Sequence, residues 1–316
     1  MSTWDLQRRN QTQVTEFIIL GISDYPDLQI VLFIVFLFIY LVTLIGNLTI
    51  LTLMCFDSRL HTPMYFFLCN LAILDLCLTS CTIPKMLSIF LMSNQSISFW
   101  GCMTQLYLLM SFTGMDFYLL TAMAYDRYVA ICNPLRYSVI MNKRVCALLS
   151  FISWVVGFLD VLPHGLYISH FSFCGHNMIN HLFCDFQTIL KLSCSDTSVI
   201  KLLIKTIDVC LALVALVLLL TSYSHIISSI LKMQSVKGRY KAFSTCSSHL
   251  TVVSMYFGTV FFVYVRPMSK NVTSVDKLLD ASYNTVIPMF NPIIYSLRNK
   301  DIKAALKKVM KGRTNT

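Results

Sequence analysis

The run from Leu28 to Met54, "LQIVLFIVFLFIYLVTLIGNLTILTLM", carries no charged side chain and as a helix is long enough to cross a hydrocarbon layer of about 30 Å. Outward from it, six further stretches of the same kind follow: Pro63 to Met92, Gly101 to Ile131, Val145 to Leu166, Val199 to Leu231, Phe243 to Val265 and Leu278 to Leu297. Composition agrees with that reading. The 316 residues are 56% hydrophobic and 13% charged, with a mean hydropathy of +0.67, more apolar surface than one soluble core hides. Segments of this length favour helices over barrel strands, because a helix satisfies every backbone polar group within itself. The expected fold class is an all-α membrane protein, a seven-transmembrane helix bundle. It divides into an N-terminal segment 1–27, a membrane domain 28–297 and a tail 298–316.

Basic residues set the orientation. One set of loops carries Arg59, then Arg136, Lys143 and Arg144, then Lys232, Lys237, Arg239 and Lys241, and finally the tail from Arg298 to Arg313. Acids offset the few bases of the other side, with Asp24 and Asp27 before the first span and Asp185 and Asp196 between the fourth and fifth. By the positive-inside rule the basic set is cytoplasmic, so the N-terminus is expected outside the plasma membrane and the C-terminus inside. The net charge of +10 is then a topology signal, not a nucleic-acid footprint. The first 27 residues are polar and no cleavable signal peptide is expected.

On that topology "TAMAYDRYVAIC", Thr121 to Cys132, ends the third span. Cys102 opens the same span, and Arg127 lies about 38 Å further along a helix rising 1.5 Å per residue. Asp126, Arg127 and Tyr128 therefore sit at the inner boundary, where Arg127 either anchors the helix, snorkelling or paired with Asp126, or changes partner as a switch. Past the seventh span, Ile302, Ala305, Leu306, Val309 and Met310 recur at helical spacing among Lys303, Lys307, Lys308 and Lys311. This reads as a short amphipathic helix lying on the inner leaflet, its lysines facing membrane lipid.

Of twelve cysteines, Cys102, Cys174, Cys184 and Cys194 fall on the oxidising side, and spacing alone leaves three pairings open. His164, His170, His176 and His181 enrich the same region, and His181-x-x-Cys184 has the ligand types for copper or zinc. A disulfide would consume the thiolate, so no metal and no cofactor is expected. Four N-x-S/T sequons begin at Asn10, Asn47, Asn94 and Asn271. Asn47 is intramembrane, Asn94 and Asn271 lie in short loops near the bilayer, and Asn10 is the best acceptor for glycosylation.

The sequence resembles the olfactory receptors, a branch of the rhodopsin-like G-protein-coupled receptors, over nearly its whole length. The matching stretches are Gly46-Asn47, "LHTPMYFFLCNLAILDLC" from Leu60, "MAYDRYVAICNPLRYSVIM" from Met123, Ser222-Tyr223, "KAFSTCSSHLTVVS" from Lys241 and "PMFNPIIYSLRNK" from Pro288. "LHTPMYFFL" is similar to the tetrapod class II subgroup. The resemblance implies the pairings Cys102–Cys184 and Cys174–Cys194, on the pattern "HLFCDFQTILKLSC" from His181. It puts Asp75 at the sodium-site acid of the superfamily and Asp116 where the family usually has glutamate. With Asn47 and Asn291 these form an expected polar cluster, read either as a static network or as an ion-binding switch. Asn291, Pro292 and Tyr295 match the seventh-span motif, in which proline frees a carbonyl and lets Tyr295 rearrange beside Tyr223 and Arg127.

The resemblance also implies the ligand wall and the partner. Met110, Thr113 and Gly114 of the third span, Phe257, Val260, Phe261 and Tyr264 of the sixth and Asn284 of the seventh would line a site for a small, mostly apolar volatile odorant. Activation would move the sixth span outward and admit a heterotrimeric stimulatory G protein of the olfactory type, raising cyclic AMP. Three positions depart from the family pattern. Tyr256-Phe257 reverses a common order, Asp160 replaces a frequent histidine, and Lys205 and Asp208 stand three residues apart on the fifth span. Either those two pair, or Asp208 faces the pocket and selects amines. The same architecture also suits a non-olfactory chemosensory receptor for a small metabolite or amine. A transporter would need repeated halves with interrupted helices, and an enzyme would need a G-x-S-x-G, an H-E-x-x-H or a phosphate-cradling loop; the sequence has none of these.

Overall fold

The computed structural model describes residues 14–22, 26–92, 95–173, 177–265, 273–298 and 300–313; within its helices, the side chains of 26–27, 204–205, 241, 260–265, 297–298, 300–301 and 309–313 fall outside the description. Seven long helices follow in order: α1 Pro26–Phe56, α2 Pro63–Met92, α3 Phe99–Cys132, α4 Lys143–Ser169, α5 Ser198–Lys232, α6 Val236–Val265 and α7 Ser274–Arg298. A shorter helix, α8 Lys300–Arg313, closes the chain. The fold is the expected all-α membrane bundle. Each of α1 to α5 is long and apolar enough to cross a membrane. α6 and α7 are as long as a span but more polar. Asp276, Asn284, Thr285 and Asn291 of α7 are all buried, facing the bundle and not lipid.

Burial is sorted as a lipid-facing chain requires. On α1, Ile30, Ile34, Phe38, Leu41 and Ile45 form an exposed apolar row at helical spacing, while Phe36, Ile39, Thr43, Asn47 and Ile50 are buried on the opposite side. Lipid tails are as apolar as leucine, so helices associate here through close packing and internal polar contacts. Small residues mark the closest approaches. A Cβ on Gly46 would lie 2.8 Å from Cγ of Pro292, and one on Gly157 would run into Cγ of Met115 and lie 3.1 Å from the Ser111 carbonyl oxygen. These two glycines let α1 seat against α7 and α4 against α3.

The disulfide end carries a small sheet. Strands β1 (Glu16–Ile19), β2 (Ser96–Ser98) and β3 (Met178–Ile179) form a sheet in the order β2-β1-β3. β1 is antiparallel to β2, with Phe17 opposite Ile97, and parallel to β3, with Ile19 opposite Ile179. Phe17 and Ile19 are fully buried in a second apolar cluster with Met103, Leu106, Ile168, Phe173 and Ile189. The N-terminal segment, read as merely polar from sequence, thus contributes a central strand. At the opposite end Ile302 and Ala305 bury α8 against the bundle, while Lys303, Lys307 and Lys308 are exposed. There Arg59 donates from Nε and Nη2 to Asp57 at 2.9 and 2.6 Å. That pairing, assisted by the charge of Lys308, holds the Asp57 carboxyl well below the usual carboxylate range.

The Gly46 contact gives a direct test. Gly46→Ala is expected to destabilise the protein by about 1–3 kcal/mol through overpacking, and to cost less in a Pro292→Ala background. Thermal unfolding of the detergent-solubilised chain reads both.

Candidate functional site

Three groups of polar residues stand out along the bundle axis. In the middle, Asn291 donates from Nδ2 to both carboxylate oxygens of Asp75, at 2.9 and 3.1 Å, which ties α7 to α2. Asn47 of α1 donates to Thr43 at 3.1 Å and to the carbonyl of Pro288 at 3.4 Å. Pro288 stands four residues before Pro292, which has no N–H, so Asn47 takes up the carbonyl that the proline leaves without its helical donor. Asp116 of α3 is buried within charge range of Asp75, with Oδ1 free of hydrogen bonds. Of the four expected residues, Asn291 and Asp75 bond to each other, Asn47 bonds instead to the Thr43 and Pro288 carbonyls, and Asp116 is not hydrogen-bonded to Asn47 or Asn291.

At the end of α3 opposite the disulfide, Asp126 is fully buried and Arg127 is only 8% exposed. Arg127 donates from Nε to Asp126 at 2.9 Å and also from Nη2. The second carboxylate oxygen accepts a 2.7 Å hydrogen bond from the hydroxyl of Tyr137, on the short helix Tyr137–Ile140 that follows α3. Tyr128 points away from this pair, its ring 5.8 Å from that of His225 on α5. Tyr223 bonds instead to Nδ1 of His249 on α6 at 2.5 Å, the two rings stacked. Tyr295 is buried, its hydroxyl free of hydrogen bonds. Tyr137 and His249 were not singled out from sequence. His249 had a signal, a histidine well inside a span-length helix; Tyr137 had none, because a loop tyrosine does not announce a carboxylate partner.

At the other end the disulfide Cys102–Cys184 joins α3 to the long loop, with Cα atoms 5.5 Å apart. This leaves Cys184 no thiolate for a metal, and among the described residues no three His, Cys, Asp or Glu side chains gather as metal ligands. Gln105 reinforces the junction. It accepts from the backbone N–H of Cys184 at 2.9 Å and donates to the carbonyl of Cys81 on α2 at 2.9 Å. Cys194 is in a disulfide; Cys174, its expected partner, lies outside the described residues, as do Asn10, Asn94 and Asn271.

On α3 the expected ligand residues Met110, Thr113 and Gly114 lie between Cys102 and Asp116. Tyr256 of α6 is buried and donates to the backbone carbonyl of Thr113 at 2.7 Å. The reversed Tyr-Phe order therefore spends the hydroxyl on α3, while Phe257 packs edge-on against Phe117 at 5.2 Å. Met110 packs on the second apolar cluster. Gly114 is open, the nearest atom to a Cβ there being Cε2 of Tyr118 at 4.0 Å. Asn284 donates to the Asp280 carbonyl of its own helix at 3.1 Å. Asp208 is half-buried on α5, with Oδ1 free of hydrogen bonds. The side chains of Val260, Phe261, Tyr264 and Lys205 lie outside the described residues.

Seven long helices, a disulfide holding a loop to α3, a buried ion pair at the far end of that helix and a polar link in mid-bundle define a multi-pass membrane protein of the receptor type. Residues 36–313 match the sequence profile described as "Olfactory receptor". The chain is 49% identical to rat olfactory receptor 1f45 over 95% of its length and 96% of that protein's. It is 47% identical to human olfactory receptor 1J4 over 98% and 99% of the two chains, and 48% identical to mouse olfactory receptor 5G9 over 94% and 95%. The chain belongs to the olfactory receptor family, and so to the G-protein-coupled receptors, which are not enzymes.

The mid-bundle link is testable by a double-mutant cycle. Asp75→Ala and Asn291→Ala are each expected to lower the unfolding temperature. The double variant should fall short of their sum by about 0.5–3 kcal/mol, as for residues in direct contact.

Proposed function

We propose that this protein is an odorant receptor that binds a small, mostly apolar volatile within the helix bundle and activates a stimulatory G protein to raise cyclic AMP. The single observation that carries the reading is the buried Asp126–Arg127 pair with Tyr137 on its second oxygen. A charged pair buried at a helix end is costly unless fully bonded. Here its third partner comes from the following loop, so moving that loop loosens the arginine. In this account the disulfide end is extracellular and the triplet end cytoplasmic, as the basic loops favour, and the exposed lysines of α8 face inner-leaflet lipid. Asn10 is the glycosylated residue, and Cys194 pairs with Cys174.

The ligand site lies between α3, α6 and α7, with Met110, Thr113, Gly114, Phe257, Val260, Phe261, Tyr264 and Asn284 on its walls and Asp208 on α5 at its side. Tyr256 supports this reading. Its hydroxyl bridges α6 to the backbone of α3 beside Thr113, so a ligand that displaces Phe257 or Thr113 also bears on the joint between the two helices. Asp116, Asp75, Asn47 and Asn291 lie below as the polar interior. Further down, Tyr223, Tyr295 and Pro292 allow α6 and α7 to rearrange about Arg127. Activation is a population shift, and it requires the ligand to bind the open arrangement more tightly than the closed one. A receptor for a small metabolite in a tissue other than the olfactory epithelium would use the same machinery.

The experiment is cyclic AMP production in cells expressing the full chain with an olfactory-type stimulatory G protein, screened with volatile alcohols, aldehydes, ketones, acids and amines. A response is expected with the intact chain and none with Arg127→Ala at equal surface level. Tyr137→Phe removes one bond from Asp126 and is expected to raise ligand-free signalling. A response that survives Arg127→Ala would refute the coupling role.

A further inference from the structure

The N-terminal strand has no part in the function proposed above, yet Glu16 is exposed while Phe17 and Ile19 of the same strand are at 0% exposure. β1 is central in its sheet, so its backbone is held from both sides. The N–H of Ile19 donates to the Gln95 carbonyl at 2.8 Å, and those of Ile18 and Leu20 donate to the carbonyls of Asn177 and Ile179 at 2.8 and 2.9 Å. Past the strand the chain turns at Gly21, with φ +64°, where a Cβ would lie 3.1 Å from Cγ2 of Ile89. Lys277 of α7 donates to the carbonyl of that glycine at 2.8 Å. The ring of Phe17 meets Phe173 of the long loop edge-on at 5.5 Å and lies 6.0 Å from Phe99 at the head of α3. With Ile19 it joins a buried cluster that takes Ile89 from α2, Leu106 from α3, Ile168 from α4 and Ile200 from α5. Met110, one turn past Leu106 on α3, packs against that cluster.

We propose that this cluster is the outer ceiling of the odorant site, and that Phe17 and Ile19 of the N-terminal strand are specificity-determining residues that limit how long a ligand the receptor accepts. The proposal rests on the reading of the bundle as a ligand-binding receptor with Met110 on the wall of its site, and it adds the element that closes that site. Each methylene that enters an apolar site raises affinity about fourfold. The gain stops where the ligand meets atoms that cannot give way, because protein interiors are packed as densely as organic crystals. A ceiling made of loop side chains alone could shift with the loop. This one is backed by a strand bonded along both edges and fastened at its end to α7. A smaller side chain at position 17 or 19 therefore leaves space on the bundle side, since the pinned backbone cannot move in to fill it.

The test uses the purified full chain in lipid nanodiscs and the straight-chain alcohols from n-butanol to n-decanol, with apparent affinities read by thermal unfolding in the absence of G protein. Affinity in the intact chain is expected to climb with length, pass a maximum and fall. Phe17→Leu and Ile19→Val should each move the maximum to a longer alcohol. The longer alcohols gain about fourfold for every further methylene the site takes in, and the shorter ones are unchanged. Ile18→Ala, on the other face of the same strand, should leave the maximum where it is. A maximum that stays put in folded Phe17→Leu and Ile19→Val, a loss uniform across the series, or an equal shift in Ile18→Ala overturns the proposal, since each is what a merely structural strand would give. If Phe17→Leu and Ile19→Val do not fold, hydrogen exchange of the intact chain decides. Slower exchange over residues 14–22 with the alcohol at the maximum bound than with n-butanol bound supports the ceiling, and equal exchange overturns it. Failure of every alcohol to bind, together with no cyclic AMP response to the wider volatile panel, sinks the receptor reading itself, whereas binding without a shift sinks the ceiling alone.

Discussion

A carbonyl without its N–H inside an apolar slab has to find a donor from another helix, and in this protein that requirement fixes the seam between α1 and α7. Pro292 cannot donate to the Pro288 carbonyl, Asn47 does so instead, and Gly46 clears the space for the proline ring. The other internal contacts build on that seam. With α7 held, Asn291 reaches Asp75 and fixes α2. Farther along α7, Tyr295 is buried three residues past Pro292. The glycine and asparagine side by side on α1 are thus two halves of one device, one steric and one hydrogen-bonding.

The two ends of the bundle are built on different principles. The disulfide end is braced covalently and by backbone pairing. Cys102–Cys184 and Gln105 hold the long loop, and β1 is sandwiched between β2 and the loop strand β3. Lys277 of α7 donates to the carbonyl of Gly21 just after β1 at 2.8 Å, so the N-terminal segment is fastened to a spanning helix as well. Among the described residues, no disulfide or strand braces α6 at the opposite end. Among them, its cross-helix contacts there include the side-chain bonds of Tyr223 to His249 and of Ser248 to the Ile294 carbonyl at 3.5 Å. An end without a disulfide or sheet pairing among the described residues is better suited to local opening than one braced covalently.

Much of this was legible in the sequence, and what was not has physical reasons. Spans are read from apolar length alone, so α1 to α5 were found to within a few residues. The start of α6 was placed at Phe243 and lies at Val236, because the lysine-bearing turns that extend a helix into water carry no hydropathy signal. β1 was missed although Glu16 to Leu20 holds an aromatic and two β-branched residues. Its partners at Ser96–Ser98 and Met178–Ile179 are far away along the chain, and strand pairing across such distances leaves no local trace. The motif residues Asp126, Arg127 and Asn291 were singled out, yet their partners were only partly found. Asn291 to Asp75 follows from two polar side chains needing each other in oil, whereas Tyr137 on Asp126 and His249 on Tyr223 depend on how a loop and a helix are aimed.

The central claim is that a ligand bound in the bundle moves the end of α6 that begins at Val236 away from α3. The most direct measurement is the distance between spin labels placed at two exposed positions, Val139 after α3 and Tyr240 on α6, in nanodisc-embedded receptor with and without a compound that raises cyclic AMP. The account expects a longer-distance population that grows with compound concentration and is further enriched by the G protein. A distance distribution that stays unchanged at saturating compound, while cyclic AMP rises in cells, would contradict it.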